Sequence, residues 1–187
     1  MKNLIISIIT LLFVFNLVSA QSKADWEGIY PDGCTSITAG KLATVDGSVI
    51  TSHTDDSHRT RSWMDVQPAK THKKNDVQTM YKRVASDSFA MPTYSHLPIG
   101  TIPQVKKTYH FLNTAYPSMN EHQLAIGEST FGGREELQSD SGLIDCQRLC
   151  QLMLERTTTA REAIELSGEL LEKYGWNDYG ECLTIAD

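Results

Sequence analysis

A change of periodicity after Phe131-Gly132-Gly133-Arg134 constrains this fold more than any other feature. Before that point, β-compatible residues occur in short runs. In residues 142–156 and 159–174, apolar residues instead recur every three or four positions, as on one face of a helix. Thr159-Ala160-Arg161-Glu162 has the spacing of a capping box, and Gly175 is typical of a helix end. Short strands followed by two helices predict an α+β layered domain.

The first strands are predicted around Asp46-Gly47, a dipeptide that supplies the positive φ angles of a tight hairpin turn. It is flanked by two β-compatible runs, residues 36–42 and 48–54. As a two-residue turn, it would place Ile37 opposite Asp56.

That register brings Cys34 to the open end of the hairpin, close to residues 55–59. Asp56 would then lie about three residues, or roughly 10 Å, from Cys34 along the ladder. A bulge or the strand twist could close much of that gap.

A second antiparallel pair is predicted from residues 106–113 and 123–130, which are joined by a turn-rich segment. Residues 57–105 contain four of the six prolines and little periodicity, which predicts long loops. Residues 181–187 begin a further strand-like run, and the sequence stops within it. We therefore expect the chain to be a fragment of a longer domain.

Residues 1–20 form a separate unit that is typical of a secretory signal peptide. Met1-Lys2 is a positive start, residues 4–18 are almost wholly apolar, and Val18-Ser19-Ala20 offers a cleavage site. The apolar run is shorter than the roughly 20 residues that span a bilayer. We predict export to a periplasm or outside the cell, with no stable membrane insertion after cleavage. Residues 21–33 are predicted to be a propeptide or linker, followed by the domain at 34–187.

Composition excludes several classes of function. The net charge of −6 does not suggest a nucleic-acid surface. The chain has neither a P-loop nor a Gly-x-Ser-x-Gly motif, and it lacks paired zinc-ligand spacings. Cys146 and Cys150 fall on one helical stripe with Leu149 and Met153, so they are predicted to be core residues. No metal or cofactor is expected.

Cys34 is the main candidate for chemistry, because it stands alone between a polar segment and the first predicted strand. A lone cysteine there is ordinarily a buried core residue. If the chain were cut after Gly33, however, the new α-amino group, with an unperturbed pKa near ~8, would lie on the nucleophile's own residue. It could then act as the general base for the thiol.

Other candidates remain open on the residues alone. Asp56 could hold the ammonium group or orient the thiolate, or it could be a solvated strand end. Asn120 could donate to an oxyanion, or it could serve only the conformation of a turn. A Cys34/His53 dyad is a further alternative, although the predicted register places His53 opposite Gly40, farther from Cys34 than Asp56.

Two blocks of sequence resemble the C69 dipeptidases, cysteine peptidases within the N-terminal nucleophile hydrolases. The matching residues are Cys34-Thr35-Ser36-Ile37, Gly40-Lys41, Asp46-Gly47-Ser48, Asp55-Asp56-Ser57 and the run Asn120-Glu121-His122-Gln123-Leu124-Ala125-Ile126-Gly127-Glu128-Ser129-Thr130-Phe131-Gly132-Gly133-Arg134. The resemblance implies an αββα sandwich whose nucleophile opens the first strand after self-cleavage. It also implies hydrolysis of dipeptides or short peptides.

The chain is similar, more distantly, to bile-salt hydrolases and penicillin V acylases. That likeness implies Cys34 as nucleophile, Asp56 as its carboxylate partner and Asn120 as an oxyanion donor. One departure is His53-Thr54, where the wider group commonly has Arg-Asn. A further catalytic asparagine and arginine are expected beyond Asp187.

Three functions therefore stand at this stage: a cysteine-type dipeptidase, an N-acyl amide hydrolase, or a non-catalytic exported binding domain whose Cys34 pairs with another cysteine. The expected partner is a dipeptide or short peptide substrate. A homo-oligomer is left open.

Overall fold

The computed structural model describes residues 33–56, 64–86, 93–137 and 139–187. The predicted signal peptide, and all of the predicted propeptide except Gly33, lie outside these residues. Both stay predictions.

The first two strands, β1 (Gly33–Ala39) and β2 (Ile50–Asp56), form the predicted antiparallel hairpin. The predicted register is wrong. Cys34 faces Asp55, and Ile37 faces Ser52 rather than Asp56.

The cause lies in the connection, residues 40–49, which is a loop rather than a two-residue turn. Asp46 does turn the chain, since its carboxylate accepts hydrogen bonds from the backbone N–H and hydroxyl of Ser48, at 3.0 and 2.7 Å. Gly47 adopts a φ of 76°. The loop is also held by the Thr44 hydroxyl, which donates to the Ser48 carbonyl over 2.7 Å. These bonds close the loop on itself, so the strands pair only beyond it.

Residues 57–105 were predicted to be long loops, and this is wrong for most of the described ones, although 68–69, 72–76 and 104–105 do lie outside strands. They contain β3 (Asp65–Gln67), β4 (Lys70–Thr71), β5 (Val77–Ser86) and β6 (Thr93–Pro103). The last two strands pair as a long antiparallel hairpin with a register shift at Met80/Tyr81. This irregularity, together with the prolines of β6, hides the alternation of a strand in the sequence.

Downstream lie five more strands, β7 (Lys107–Thr108), β8 (Phe111–Asn113), β9 (Met119–Asn120), β10 (Ala125–Phe131) and β11 (Gly180–Ala186). Five of the described strands form one sheet in the order β11-β10-β9-β8-β3. The direct pairing predicted for 106–113 with 123–130 is wrong, because Met119 pairs with both Leu112 and Ala125. The predicted final strand is confirmed as β11.

The two helices are confirmed as α1 (Cys146–Arg156) and α2 (Ala160–Tyr174). α1 begins later than predicted because Asp145 caps it, accepting from the backbone N–H of Arg148 at 2.8 Å. The Thr159/Glu162 capping box is present. A short 3₁₀ helix, Glu135–Leu137, precedes α1.

The hydrophobic core lies between the helices and the strands. The predicted stripe of Cys146, Leu149, Cys150 and Met153 is no more than 3% exposed and packs in one cluster with residues of the strands, among them Ile126. Among the residues that the structure describes, no helix combines the length and apolar character needed to cross a membrane. The arrangement is α+β, as predicted, while the αββα sandwich stays a prediction.

The β1–β2 hairpin approaches β10 closely. The Ser36 and Ser129 hydroxyls are 3.1 Å apart. At Gly127, a methyl group in place of hydrogen would lie 3.1 Å from His53 Cβ, tighter than nearly all real contacts. The glycine therefore sets how near β2 can come to the sheet.

Candidate active site

Cys34 is the second residue of β1 and is half-buried. Its thiol Sγ lies 3.5 Å from Oε1 of Glu128, within hydrogen-bonding reach for sulfur. All four cysteines lie in the described ranges and each is a free thiol, so the structure gives no support for a disulfide at Cys34. The predicted cleavage bond joins Gly33 to Cys34, so it lies on the same residue whose sulfur contacts this carboxylate.

Glu128 is a buried acidic residue of β10, with only 1% of its surface exposed. Besides Cys34, its partners are the Thr130 hydroxyl, which donates to Oε2 over 3.2 Å, and the Glu181 side chain. Oε1 of Glu181 lies 3.1 Å from the same Thr130 hydroxyl, and carboxylate oxygens of Glu128 and Glu181 lie within 4.8 Å of one another. Burial, and then the contact with Glu128, raises the pKa of Glu181 to about 8.

Asp55 completes the cluster from the facing strand, opposite Cys34. Burial is the first cause that raises the pKa of its carboxyl, and the negative charge of Glu128 is the second, while Arg83 opposes both. Its Oδ2 atom is buried with no hydrogen-bond partner among the described residues. A buried acceptor without a donor is costly, so this position favours a ligand or group that donates hydrogen bonds.

The cluster attracts positive charge. Ligand atoms of Cys34, Asp55 and Glu128 all lie within 4.8 Å of one another, as do those of Glu128, Cys146 and Glu181. Either a metal ion or an ammonium group matches the first set. Burial raises the pKa of the Cys34 thiol, and the carboxylates of Glu128 and Asp55 raise it further, against a hydrogen bond from the backbone of Thr130. In the uncut chain the thiol is therefore the resting form.

Comparison with known families gives this geometry its context. The sequence pattern of Peptidase family C69 matches residues 33–187, which include every strand and helix described above. The chain belongs to Peptidase family C69.

A curated relative has a similar sequence. It is a protein of Latilactobacillus sakei named "Probable dipeptidase", 26% identical over 162 residues. The match covers 76% of this chain and 30% of the relative. This chain therefore spans less than a third of the length of the curated relative that it matches.

Within this C69 chain, the predicted position of Asp56 is wrong. Asp56 faces Gly33, and its exposed carboxylate accepts a hydrogen bond from the Thr54 hydroxyl at 3.0 Å. Successive side chains of a strand point to opposite faces, so Asp56 and Asp55 point apart. The carboxylates that approach Cys34 are Asp55 and Glu128, and the catalytic role of Asp56 stays a prediction.

Asn120 is buried at the end of β9, with 5% of its surface exposed. Its amide nitrogen donates to the carbonyls of Leu154 and Thr157, at 2.9 and 2.8 Å. Its side-chain oxygen accepts from the backbone N–H groups of His122 and Leu124. Since both amide hydrogens tie β9 to the end of α1, the contacts favour a structural role. Oxyanion donation stays a prediction.

His53 is placed differently from the prediction, facing Ser36 rather than Gly40. Its ring packs against Gly127, and its charge is one of the factors that lower the pKa of Asp55. These contacts do not bring it to the sulfur of Cys34.

Two cavities are connected with the cluster through single residues, although neither is lined by Cys34, Asp55 or Glu128. A polar one of about 400 Å³ is lined by Lys82, Arg83, Ser139, Asp140, Asp145, Asn177, Asp178 and Tyr179. An apolar one of about 600 Å³ is lined mainly by aromatic and aliphatic side chains, with Glu181 at its wall. Arg83 connects the polar cavity electrostatically to Asp55, and Glu181 connects the apolar cavity to Glu128.

Sequence reasoning missed Glu128, Asp55 and Glu181 as site residues. For Glu128 a signal existed. It is the one charged residue in the predicted strand 123–130, which is otherwise largely apolar at its centre. A carboxylate in such a strand is rarely buried unless it has partners. Its partners come from other strands, so the sequence alone does not identify them.

Proposed function

We propose that this chain is the nucleophile-bearing part of a cysteine-type dipeptidase, activated by cleavage of the Gly33–Cys34 bond. The observation that carries the proposal is the position of the Cys34 sulfur, 3.5 Å from a buried carboxylate at the start of the first strand. Membership of family C69 supports peptidase chemistry, and its match begins one residue before Cys34. Export, as the predicted signal peptide suggests, is part of the same proposal.

Cleavage would change the charges that surround the Cys34 thiol in the acidic cluster. Asp55 and Glu128 raise the pKa of the Cys34 thiol while the chain is uncut. Cleavage would place an α-amino group on Cys34 itself, and its protonated form would offer hydrogen-bond donors to the unpaired Oδ2 of Asp55. A positive charge at that point favours the thiolate, because an opposite charge within a few ångströms stabilises the ionised form.

Turnover then follows the N-terminal nucleophile route. The α-amino group takes the thiol proton, the Cys34 thiolate attacks the peptide carbonyl, and the departing amine receives the proton. Water hydrolyses the resulting thioester and restores the thiol. The predicted oxyanion contact from Asn120 requires that its amide release the carbonyl of Leu154 or Thr157.

The polar cavity fits the ends of a dipeptide, which carries an ammonium group and a carboxylate a few bonds apart. Its lining contains both signs of charge, with Arg83 and Lys82 against three aspartates. The Arg83 guanidinium is held by a hydrogen bond of 3.2 Å to the Tyr116 hydroxyl. A preorganised guanidinium is suited to a carboxylate. The name of the curated relative agrees with this substrate class.

The test is the intact mass and N-terminal sequence of the longest natural form, purified from the exported fraction, together with a substrate panel. We expect a chain beginning Cys-Thr-Ser that hydrolyses dipeptides faster than N-acyl amino acids. An active protein with Gly33–Cys34 intact would refute the amine mechanism. Preference for N-acyl amino acids would instead indicate an acylase.

A further inference from the structure

The proposed maturation raises a chemical difficulty at Gly33–Cys34. During turnover the α-amino group of Cys34 can act as the base. Before cleavage that nitrogen is part of a peptide bond, and an amide nitrogen does not accept a proton at neutral pH. Self-cleavage therefore needs another base within reach of the sulfur.

We infer that Glu128 is this base, a residue that drives the self-cleavage of the precursor and is not needed as the base of later turnovers. The inference rests on the proposed function, since it concerns how that enzyme is activated. It assigns a maturation role to a carboxylate that lies outside the three residues predicted from the sequence.

Oε1 of Glu128 takes the proton of the Cys34 thiol, and the thiolate attacks the carbonyl carbon of Gly33. The Gly33–Cys34 C–N bond breaks, and the nitrogen leaves with the proton that Glu128 returns. The product is a thioester between Gly33 and Sγ with a free α-amino group. Water then hydrolyses the thioester to a Gly33 carboxylate and the Cys34 thiol.

The geometry favours Glu128 over the neighbouring carboxylates. The Cys34 thiol is within hydrogen-bonding distance of Glu128 Oε1, at 3.5 Å. Glu128 is also fixed in place, because it is 1% exposed and its other oxygen accepts from the Thr130 hydroxyl. A base must lie within reach of the proton that it removes, and a locked side chain keeps it there. Asp56 is exposed and points away.

The surroundings predict how maturation depends on pH. The titratable groups that act on or with Glu128 are Cys34 on β1, Asp55 on β2, Glu181 on β11, Cys146 on α1 and Tyr116 in the loop before β9. The nearby cation in this network is Arg83, which acts on Asp55 and Tyr116. As the pH rises through about 8, the carboxyl group of Glu181 loses its proton. The added negative charge beside Glu128 favours transfer of the thiol proton to that carboxylate, so cleavage accelerates from pH 6 to 8.

The experiment uses Glu128→Gln in the full-length protein that contains this chain, with the exposed helix residue Glu169→Gln as the matched control. The protein is synthesised in a cell-free system, and the fraction of chains beginning at Cys34 is followed by intact mass. We expect cleavage at least about 100-fold slower in Glu128→Gln and unchanged in the control, since general-base catalysis contributes typically 10²–10⁴-fold. Cleavage of Glu128→Gln at the wild-type rate would overturn the inference.

A bypass form separates maturation from turnover. A removable tag placed directly before Cys34 lets an added protease generate the N-terminal cysteine. We expect bypassed Glu128→Gln to hydrolyse dipeptides at least tenfold faster than its uncut form. If it is folded, with a wild-type melting temperature, and still as inactive as the uncut form, Glu128 serves turnover and the inference is wrong.

Glu128→Asp covers the case in which Gln disturbs folding. It keeps a carboxylate, so maturation should be faster than in Glu128→Gln, and equal slowness of two folded variants would overturn the inference. A wild-type protein that is active with Gly33–Cys34 intact would give a different result, because it would remove the proposed function itself.

Discussion

Cys34 and the pair Cys146–Cys150 place the same side chain in two different environments. Cys146 and Cys150 lie on the core face of α1 and are 0% exposed. The hydrogen bond that the Cys146 thiol makes to Cys150, together with burial, holds the pKa of Cys146 far above the usual range. Cys34 is half-buried at the start of a strand, beside two carboxylates.

The difference shows how position decides what a thiol can do. The helix pair packs in the hydrophobic core, although Cys146 also lies within 4.8 Å of the Glu128 and Glu181 carboxylates. Burial and nearby carboxylates raise the pKa of Cys34 as well, and a positive charge introduced beside Cys34 would oppose that effect. Cleavage after Gly33 would introduce such a charge, because the new α-amino group would lie on Cys34 itself, whereas Cys146 and Cys150 lie within a helix.

The largest expected effect is the loss of activity when Cys34 is substituted, in contrast to substitution of Cys150. Cys34→Ala should abolish both maturation and dipeptide hydrolysis, by about 10³-fold or more, because it removes the nucleophile. Cys150→Ala should cost about 1 kcal/mol of unfolding free energy and leave the activity of the folded fraction unchanged. Dipeptide turnover, intact mass and urea unfolding are the measurements. Hydrolysis of dipeptides by folded Cys34→Ala would show that Cys34 is not the nucleophile. Serine is avoided because a hydroxyl can also attack.

Substitution of Asn120 tests whether this residue belongs to the active site or only ties β9 to the end of α1. Asn120→Ala leaves the carbonyls of Leu154 and Thr157 without their donor, so we expect a loss of about 1–3 kcal/mol in urea unfolding. The kcat of the folded fraction should change by less than about threefold, against the 10²–10³-fold expected for a lost oxyanion donor. A fall of the latter size would assign Asn120 to the active site.

The pH dependence of stability tests the environment of the Glu181 carboxyl group. Its pKa is raised to about 8 in the folded protein, from the ordinary value of 4.5. The folded state therefore keeps a proton that the unfolded state has released, and stability falls as the pH rises from about 5 through 8. Glu181→Gln should flatten this dependence in thermal unfolding at pH 5, 6, 7 and 8. The exposed Glu172→Gln is the control and should follow the wild type. An unchanged slope in Glu181→Gln would show that the pKa of Glu181 is not raised in the folded protein.

The smallest effect is expected at the cap of α2. Thr159→Ala removes the side-chain acceptor for the backbone N–H of Glu162, which costs about 1 kcal/mol. In a chain of this size that lowers the melting temperature by about 2–4 °C. Activity per folded molecule should not change, because the cap belongs to the helix layer. A change in the cleavage rate at Gly33–Cys34 would show that the two regions are coupled.

The helices could be predicted from the sequence because their signals are local. The Thr159 capping box, the Gly175 end and the stripe of Cys146 and Leu149 all lie within a few turns of the backbone that they organise. Only part of the local signal at Asp46-Gly47 is confirmed: Gly47 has a positive φ and Asp46 turns the chain, but the predicted two-residue hairpin turn is replaced by a loop.

The register of the hairpin could not be predicted in this way. It depends on where β1 and β2 lie against β10, through contacts such as Ser36 with Ser129. The predicted register placed Asp56 opposite Ile37, about three residues along the ladder from Cys34, whereas the observed register places Asp55 directly opposite Cys34. Glu128 and Glu181 reach the site from distant parts of the chain, and only the folded sheet brings them together.

The hydrogen atom of Gly127 has a consequence for the chemistry at Cys34. A single added carbon there would meet His53 at 3.1 Å, so β2 would have to retreat by a few tenths of an ångström. Asp55 is two residues from His53 on that strand, and Cys34 is paired to Asp55. The hydrogen atom of Gly127 therefore sets how far β2, and with it the Asp55 carboxylate, lies from the Cys34 sulfur. A methyl group at Gly127 would touch neither group, but it would change their separation and so the effect of Asp55 on the pKa of the thiol.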